Sequence, residues 1–465
     1  LCEMNDLASA TSSASSKLIH GGLRYLEYYE FGLVRKALAE REVLLKNAPH
    51  IISPLVFRLP HRPHLRPAWM IRAGLFLYDN LAKRLTLPKS KSINFTENSP
   101  LKSEMIKGFE YADAWVDDAR LTVLNAVSAK NNGAKISSQT KLISAQNISG
   151  KWQLTLRDQQ SNQTSTVTSK VLVNAAGPWV ETITDLTSTS KVPPNTSYNS
   201  IRLVKGSHIV VPKLHDDSHA YILQNADGRI VFVLPFEDDF SLIGTTDLEY
   251  QGDPSDVEID QEEIGYLIAI TNEHFKQQLS TTDVVHTFSG VRPLMHDESE
   301  DAQAVTRDYT IELVDNKINA PLLNIYGGKI TTYRTLAEAA VDKIAPLFSS
   351  DLNANALKPW TKKASLPGGD FSSKEALSEQ LAVELPWLPL ALRQRFITSY
   401  GTTIFQVLAD CQRLDDLGEH FGASLYQKEI DYLVDNEWAI HLDDVIWRRT
   451  KLGLRLSKEQ QNNIE

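Results

Sequence analysis

The run Leu322-Leu323-Asn324-Ile325-Tyr326, closed by Gly327-Gly328 and followed by a helical pattern to about Ile344, narrows the fold more than any other stretch. An apolar strand that turns at two glycines into a helix start is an α/β unit, and a helix N-terminus above bare backbone tolerates an anion. The plain alternative is a turn with an exposed Lys329. Lys170-Val171-Leu172-Val173-Asn174-Ala175-Ala176-Gly177 has a related form and reads as a buried strand running into a tight turn. Its small residues, continuing to Pro178-Trp179, allow a cofactor, or simply a crossing helix, to lie against the backbone.

Between residues 201 and 250, β-branched and aromatic runs such as Ser207–Val211, Ala220–Leu223, Arg229–Val233 and Ser241–Gly244 are each bounded by turn residues, predicting an antiparallel sheet. The spacing of Leu33, Ala37, Leu38, Leu44 and Leu45 predicts an amphipathic helix that Pro49 stops. Beyond Asp351, helical patterns separated by Pro367-Gly368-Gly369 and Tyr400-Gly401 predict a small all-helical domain. A chain of 465 residues exceeds what one core organises, so two or three units are expected.

The 48 Lys and Arg against 58 Asp and Glu leave a formal net charge of −10, which excludes a general nucleic-acid binder, because a polyanion would be repelled over most of the surface. Cys2 and Cys411 are the only cysteines, so no disulfide framework, zinc site or iron–sulfur site is expected and the compartment is read as reducing. No apolar stretch approaches the roughly 20 residues of a spanning helix. The chain opens on Leu1 rather than methionine, and an N-terminal segment is expected to precede it.

Glu3, at the end of an opening strand, suits an acid that holds ribose hydroxyls, or is a surface charge. The run Thr11, Ser12, Ser13, Ser15 and Ser16 supplies hydroxyl and N–H donors for pyrophosphate or flavin oxygens, or merely caps a helix. His20-Gly21-Gly22-Leu23-Arg24-Tyr25 reads as a loop that lets something approach the backbone. Arg24, Arg292, Arg307 and Lys329 stand beside turns, and a dianionic phosphate requires several cations together. His20 and His208 are both candidate proton acceptors, since removing a hydroxyl proton as hydride leaves the same carbon needs a base of near-neutral pKa. Residues 61–91 carry clustered cations beside Trp69, Phe76, Leu77 and Tyr78, the composition of an anchor for an anionic lipid surface or of a core helix with a charged edge.

The string Ala10-Thr11-Ser12-Ser13-Ala14-Ser15-Ser16-Lys17-Leu18-Ile19-His20-Gly21-Gly22-Leu23-Arg24-Tyr25-Leu26-Glu27 resembles the signature of the FAD-dependent, respiratory glycerol-3-phosphate dehydrogenases. Arg202–His208, Ile243–Asp247, Ser289–Leu294, Thr306–Tyr309 and Gly327–Arg334 resemble the same family in the expected order, most of all the bacterial aerobic enzyme. The resemblance implies an α/β chain with an α+β substrate part. A glutathione-reductase-like Rossmann-like FAD domain would occupy 1–58, 117–200 and 286–350, an antiparallel substrate and membrane-docking domain 59–116 and 201–285, and a C-terminal helical domain 351–465.

It also implies oxidation of glycerol 3-phosphate to dihydroxyacetone phosphate, electron transfer to ubiquinone, and a homodimer attached to the cytoplasmic face of the inner membrane. Carried over by position, Arg24, Tyr25, Arg292, Arg307 and Lys329 are expected to bind substrate, with Thr245 and His208 lining the pocket; His20 or His208 would take the hydroxyl proton, and Arg292 or Lys329 would stabilise the developing alkoxide. Glu3, Thr11, Ser12, Ser13, Ser15, Ser16, Lys17, Leu18, Gly21, Ala175, Ala176, Gly177, Trp179, Gly327, Gly328, Lys329 and Thr331 are the positions expected to hold FAD. The family's glycine-rich first strand and turn are expected before Leu1, and no calcium-binding loop is present. An amine or amino-acid oxidase on the same scaffold and a non-catalytic membrane-associated binding module are the alternatives.

Overall fold

The computed structural model describes residues 1–187, 201–295, 308–315, 319–348 and 358–464. In chain order, β1 (Leu18–Ile19), α1 (Phe31–Asn47), β2 (Ile52–Pro60), α2 (Ala68–Asn80), β3 (Lys91–Asn94), β4 (Lys107–Val116) and α3 (Asp118–Asn131) open the fold. The meander β5 (Thr140–Ile148), β6 (Lys151–Asp158) and β7 (Thr164–Ser169) leads to β8 (Leu172–Asn174) and α4 (Val180–Thr187). Then come β9 (Ile201–Pro212), β10 (Ala220–Gln224), β11 (Ile230–Phe236), β12 (Phe240–Gly244), β13 (Leu248–Glu249), α5 (Gln261–His274) and β14 (His286–Met295). Finally β15 (Tyr309–Val314), β16 (Leu322–Gly327) and α6 (Tyr333–Ile344) precede the C-terminal helices.

The strands expected at 201–250 form the centre of a ten-stranded sheet in the order β1-β4-β2-β10-β11-β12-β9-β13, with β14 also on β9 and β3 on β4. Its pairings are antiparallel except β10 on β2. Alternation along β9 explains the burial: Ile209 and Val211 pack with Ile264, Leu267 and Ile268 of α5, whereas Val210 packs with Val34 and Leu38 of α1 and Leu75 of α2. Both faces are covered, so the strand reads as a continuous apolar run. The boundary expected between residues 58 and 59 falls inside β2, which joins this sheet.

The strand–glycine–glycine–helix unit is present as expected: β16 ends at Gly327, and a short 3-10 turn, Ile330–Thr332, leads into α6. β16 pairs in parallel with β8 and antiparallel with β15. The expectation of a fully buried strand at 170–177 is corrected by β8, whose Val173 is 43% exposed. β8 is the last strand of its sheet among the described residues, so one lateral edge lacks a neighbouring strand.

Residues beyond 358 form helices α7 (Lys374–Glu384), α8 (Leu390–Tyr400), α9 (Ile404–Val407), α10 (Gln427–Glu437) and α11 (Lys458–Asn462), with the hairpin β17 (His420–Gly422) and β18 (Leu425–Tyr426). They enclose their own core, including Leu381, Phe396, Tyr400, Ile404 and Leu433. Buried charges tie this unit to the body: Asp6 accepts from Arg449, Arg120 meets Glu437, and Lys451 meets Asp117. Trp447 stacks on His286 of β14 with ring centroids 3.9 Å apart.

Candidate active site

The segment from Thr11 to Tyr25 is the axis of the site. Thr11 Oγ1 donates to Val291 O of β14 at 2.7 Å, and Gly290 leaves space for the loop, since a Cβ there would stand 2.7 Å from Ala14 Cβ. Asp118, fully buried at the start of α3, accepts at Oδ2 from Ser15 N and Oγ (3.1 and 2.7 Å) and pairs at Oδ1 with Lys17 Nζ (2.7 Å). Lys17 Nζ also donates to Ser13 O at 3.0 Å. The Lys17 ammonium and Ser15 hydroxyl are thus directed at Asp118, and Leu18 packs in the apolar core. Ser12 lies in the 3-10 turn Thr11–Ser13.

Ser16 Oγ shares a 3.0 Å hydrogen bond with His208 Nε2. His208 lies on β9 opposite Gly244, where the missing side chain makes room for its ring, and stacks on Phe288 at 4.8 Å. Burial first, then the charges of Arg292 and Lys17, hold the imidazole well below its usual pKa, so it is neutral. Its Nδ1 is buried with no hydrogen-bond partner among the described residues. Arg292, on the neighbouring β14, donates from Nη2 to Thr245 Oγ1 at 3.1 Å and pairs through Nη1 with Asp247. Gly206 opens the space that Arg292 and Thr245 fill.

A second cationic group adjoins the other end of the segment. Lys329 Nζ sits 3.5 Å from the centroid of the Tyr25 ring, and Arg24 Nη2 donates to Tyr28 Oη at 3.4 Å. His20 N donates to Thr331 Oγ1 at 3.3 Å, which ties this segment to the turn below α6. In that turn Gly327 and Gly328 have φ of +68° and +104°, a region that favours glycine. The site of a Gly327 Cβ would lie 3.6 Å from Pro293 O, so the turn adjoins the strand that carries Arg292.

Ala175 and Ala176 follow β8 and lead into the 3-10 turn Gly177–Trp179; no atom lies within 4 Å of the position a Gly177 Cβ would take. Asn174 Nδ2 donates to Asn324 Oδ1 at 2.9 Å, holding β8 and β16 together where both glycine turns begin. Glu3 stands apart, beside the bridge of Cys2 to Ser137; its Oε1 accepts from Asn5 N at 3.1 Å, and burial raises its carboxyl pKa. Arg307 lies outside the described residues. Among the described residues no His, Cys, Asp and Glu cluster is arranged to hold a metal.

Residues 1–314 match the family described as FAD dependent oxidoreductase, and residues 359–465 match the C-terminal domain of alpha-glycerophosphate oxidase. The chain is 55% identical over 462 residues to a glycerol-3-phosphate dehydrogenase of Pseudomonas aeruginosa, covering 99% of this chain and 88% of the relative. The chain belongs to the FAD-dependent glycerol-3-phosphate dehydrogenase family. It is also 47% identical to a D-erythritol 1-phosphate dehydrogenase of Brucella abortus, with 99% of this chain and 91% of that one covered. The glycerol-3-phosphate dehydrogenase of Bacillus halodurans, solved in complex with FAD, superposes with a TM-score of 0.73 at 27% identity, over 98% of this chain and 81% of that one.

FAD is the cofactor of this family, and the fold is its Rossmann-like FAD-binding part, substrate sheet and C-terminal helical domain. The residues present fit that group. The open side of Gly177 leaves bare backbone facing space and the positive-φ turn Gly327-Gly328 leads into the start of α6, whereas the hydroxyls of Thr11, Ser13, Ser15 and Ser16 are engaged with Val291 O, Ala10 O, Asp118 and His208.

Sequence reading did not find Asp118, Asp113 or Phe288, and it placed Tyr78 with the apolar residues of a lipid anchor, whereas Tyr78 is buried and donates to Asp113. The pair Asp117-Asp118 after an apolar strand signals a helix start, and Asp117 does cap Arg120 N; nothing local shows that Asp118 reaches back to Ser15 and Lys17.

Proposed function

We propose that this chain, holding FAD, oxidises glycerol 3-phosphate to dihydroxyacetone phosphate and passes the electrons to ubiquinone. The observation that carries the reading is Lys329 over the ring of Tyr25, next to Arg24 in the chain, in a segment whose Ser16 bonds the buried neutral His208, with Arg292 held at Thr245 and Asp247 beside β9. Arg24, Lys329 and Arg307 grip the phosphate dianion, which converts binding energy into orientation of carbon 2. His208 takes the hydroxyl proton, with His20 the other candidate, and Arg292 or Lys329 stabilises the developing alkoxide. FAD, when bound, supplies the hydride acceptor. Thr11, Ser12, Ser13, Ser16, Gly21, Ala175, Ala176, Gly177, Trp179, Gly327, Gly328 and Thr331 line its place, with Glu3 toward the ribose, whereas the side chains of Ser15 and Lys17 turn to Asp118 and that of Leu18 to the core.

Anaerobic addition of glycerol 3-phosphate to the FAD-loaded, full-length enzyme should bleach the flavin absorbance, and sarcosine should not. The reverse result would sink this reading in favour of an amine oxidase. A second reading follows from the Brucella relative, whose name specifies a four-carbon polyol phosphate. A kcat/KM for D-erythritol 1-phosphate above that for glycerol 3-phosphate would select it.

The same proposal places the enzyme peripherally on the cytoplasmic face of the inner membrane, as a homodimer. The outer face of α2 supports the membrane part: Trp69, Met70, Phe76 and Leu77 are exposed, as is Leu85 just beyond, beside Lys83 and Lys89. Among the described residues no helix is long and apolar enough to cross a membrane.

A further inference from the structure

Behind the turn that carries Arg24 and Tyr25 lies a group of buried polar side chains with no place in the chemistry proposed above. Asp113 of β4, Arg41 of α1 and Tyr78 of α2 come from three different elements, and each is at most 2% exposed. Arg41 Nη1 lies 2.5 Å from Asp113 Oδ1 and 3.0 Å from Ala112 O. The Tyr78 hydroxyl lies 2.8 Å from each oxygen of the Asp113 carboxylate. Gly21 N then donates to Tyr78 Oη at 2.8 Å, with a longer approach of 3.4 Å to Asp113 Oδ1. The hydrogen-bond chain runs from guanidinium to carboxylate to phenol and ends on one backbone amide.

Apolar side chains of similar size often fill such a space at no loss of stability, so a buried, charged clamp calls for another reason to be there. The local geometry supplies one. A Cβ on Gly21 would stand 2.6 Å from both Tyr78 Oη and Leu38 Cδ2, so the backbone is pressed against the clamp. Gly22 follows with φ of +79°, and Tyr25 N donates to Gly22 O at 3.0 Å, starting the 3-10 turn Leu23–Tyr28. Only Gly22 and Leu23 separate the anchored amide from Arg24, so a shift at Gly21 passes directly into the turn.

We infer that Tyr78 is a positioning residue: its hydroxyl, oriented by the Arg41–Asp113 pair, fixes Gly21 and so sets where Arg24 and Tyr25 meet the substrate. The inference rests on the substrate reading above for the identity of the ligand. Tyr78 touches no substrate itself and acts through the amide it holds.

The test uses Tyr78→Phe in the full-length, FAD-loaded enzyme, which removes one hydroxyl and keeps the ring. FAD content and Tm should stay close to wild type, while KM and the directly measured Kd for glycerol 3-phosphate rise roughly tenfold, the scale of one lost buried hydrogen bond. An unchanged KM and Kd, with or without a lower Tm, would overturn the inference by leaving Tyr78 a purely structural role. Should Tyr78→Phe fail to fold, Asp113→Asn preserves the shape and an acceptor but loosens the clamp. It should raise Kd in the same direction, and wild-type affinity in that variant would equally overturn the idea. Failure of wild type itself to bind glycerol 3-phosphate would instead count against the proposed substrate.

Discussion

Ser16 and His208 are joined through Oγ and Nε2 at 3.0 Å, which, with the Thr11–Val291 hydrogen bond, locks the hydroxyl-rich loop to the central sheet. The bond engages Nε2, and in the tautomer that donates from Nε2 to Ser16 Oγ the lone pair lies on the buried Nδ1. Replacing His208 by Asn should therefore lower kcat by about 10²–10⁴, the scale of a general base, with FAD retained. Stopped-flow flavin reduction checks this, and a normal reduction rate would transfer the role to His20.

Arg292 touches Thr245 and Asp247 and contributes to keeping His208 uncharged. Arg292→Ala should cut kcat/KM by at least about 10²-fold, as loss of a group that stabilises developing negative charge does. Steady-state kinetics with glycerol 3-phosphate measure the effect, and near-normal turnover would remove Arg292 from the site.

Histidines make the fold acid-sensitive. Burial lowers His50 from 6.5 to about 3 and His286 to about 4, and drives His208 down as well. The unfolded chain binds these protons first, so the stabilising contribution is complete above about pH 6.5 and falls as pH drops toward the folded values. Tm should decline from pH 7 to pH 4, and His50→Gln should flatten that decline. An identical slope in the variant would exclude His50 as a contributor.

Asp6 receives hydrogen bonds from Arg448 Nε at 2.5 Å and from Arg449 Nη1 and Nη2 at 2.5 and 2.8 Å. Asp6→Ala leaves the fully buried Arg449 without this carboxylate and should cost about 3–5 kcal/mol in denaturant unfolding. The exposed Asp227–Arg229 pair is the control, where Asp227→Ala should cost less than about 1 kcal/mol.

Trp69 is 71% exposed, Phe76 60% and Leu85 71%. Changing all three to Ser should abolish co-flotation with liposomes containing anionic lipid while leaving Tm unchanged. Neutralising Arg62 and Arg66 should matter less, because they are turned to Glu273 and Glu27. Full flotation of the triple variant would rule out α2 as the docking face.

The strand, two glycines and helix at 322–344 were legible because every cue is local: an apolar run, then two glycines, then helical spacing. The strands of 201–250 were equally plain from their alternation and turn residues. Exposure of Val173 was not, since a three-residue strand gives no periodicity to tell a covered face from an open one. Lys17 and Asp118 are 101 residues apart in sequence, and Tyr78 and Gly21 are 57 apart, so their partnerships appear only once the sheet brings them together. Arg62 and Arg66 count among the clustered cations of 61–91, and their partners Glu273 and Glu27 lie on distant segments that the local pattern does not reveal.

β14 has Trp447 stacked on His286 near one end and Arg292 six residues along, about 20 Å at strand rise. A single strand, held along its length by β9, thus carries a fastening to the helical unit and the cation proposed for the substrate. Loss of the C-terminal helices would remove a stacking partner that lies more than 150 positions downstream of Arg292 in sequence.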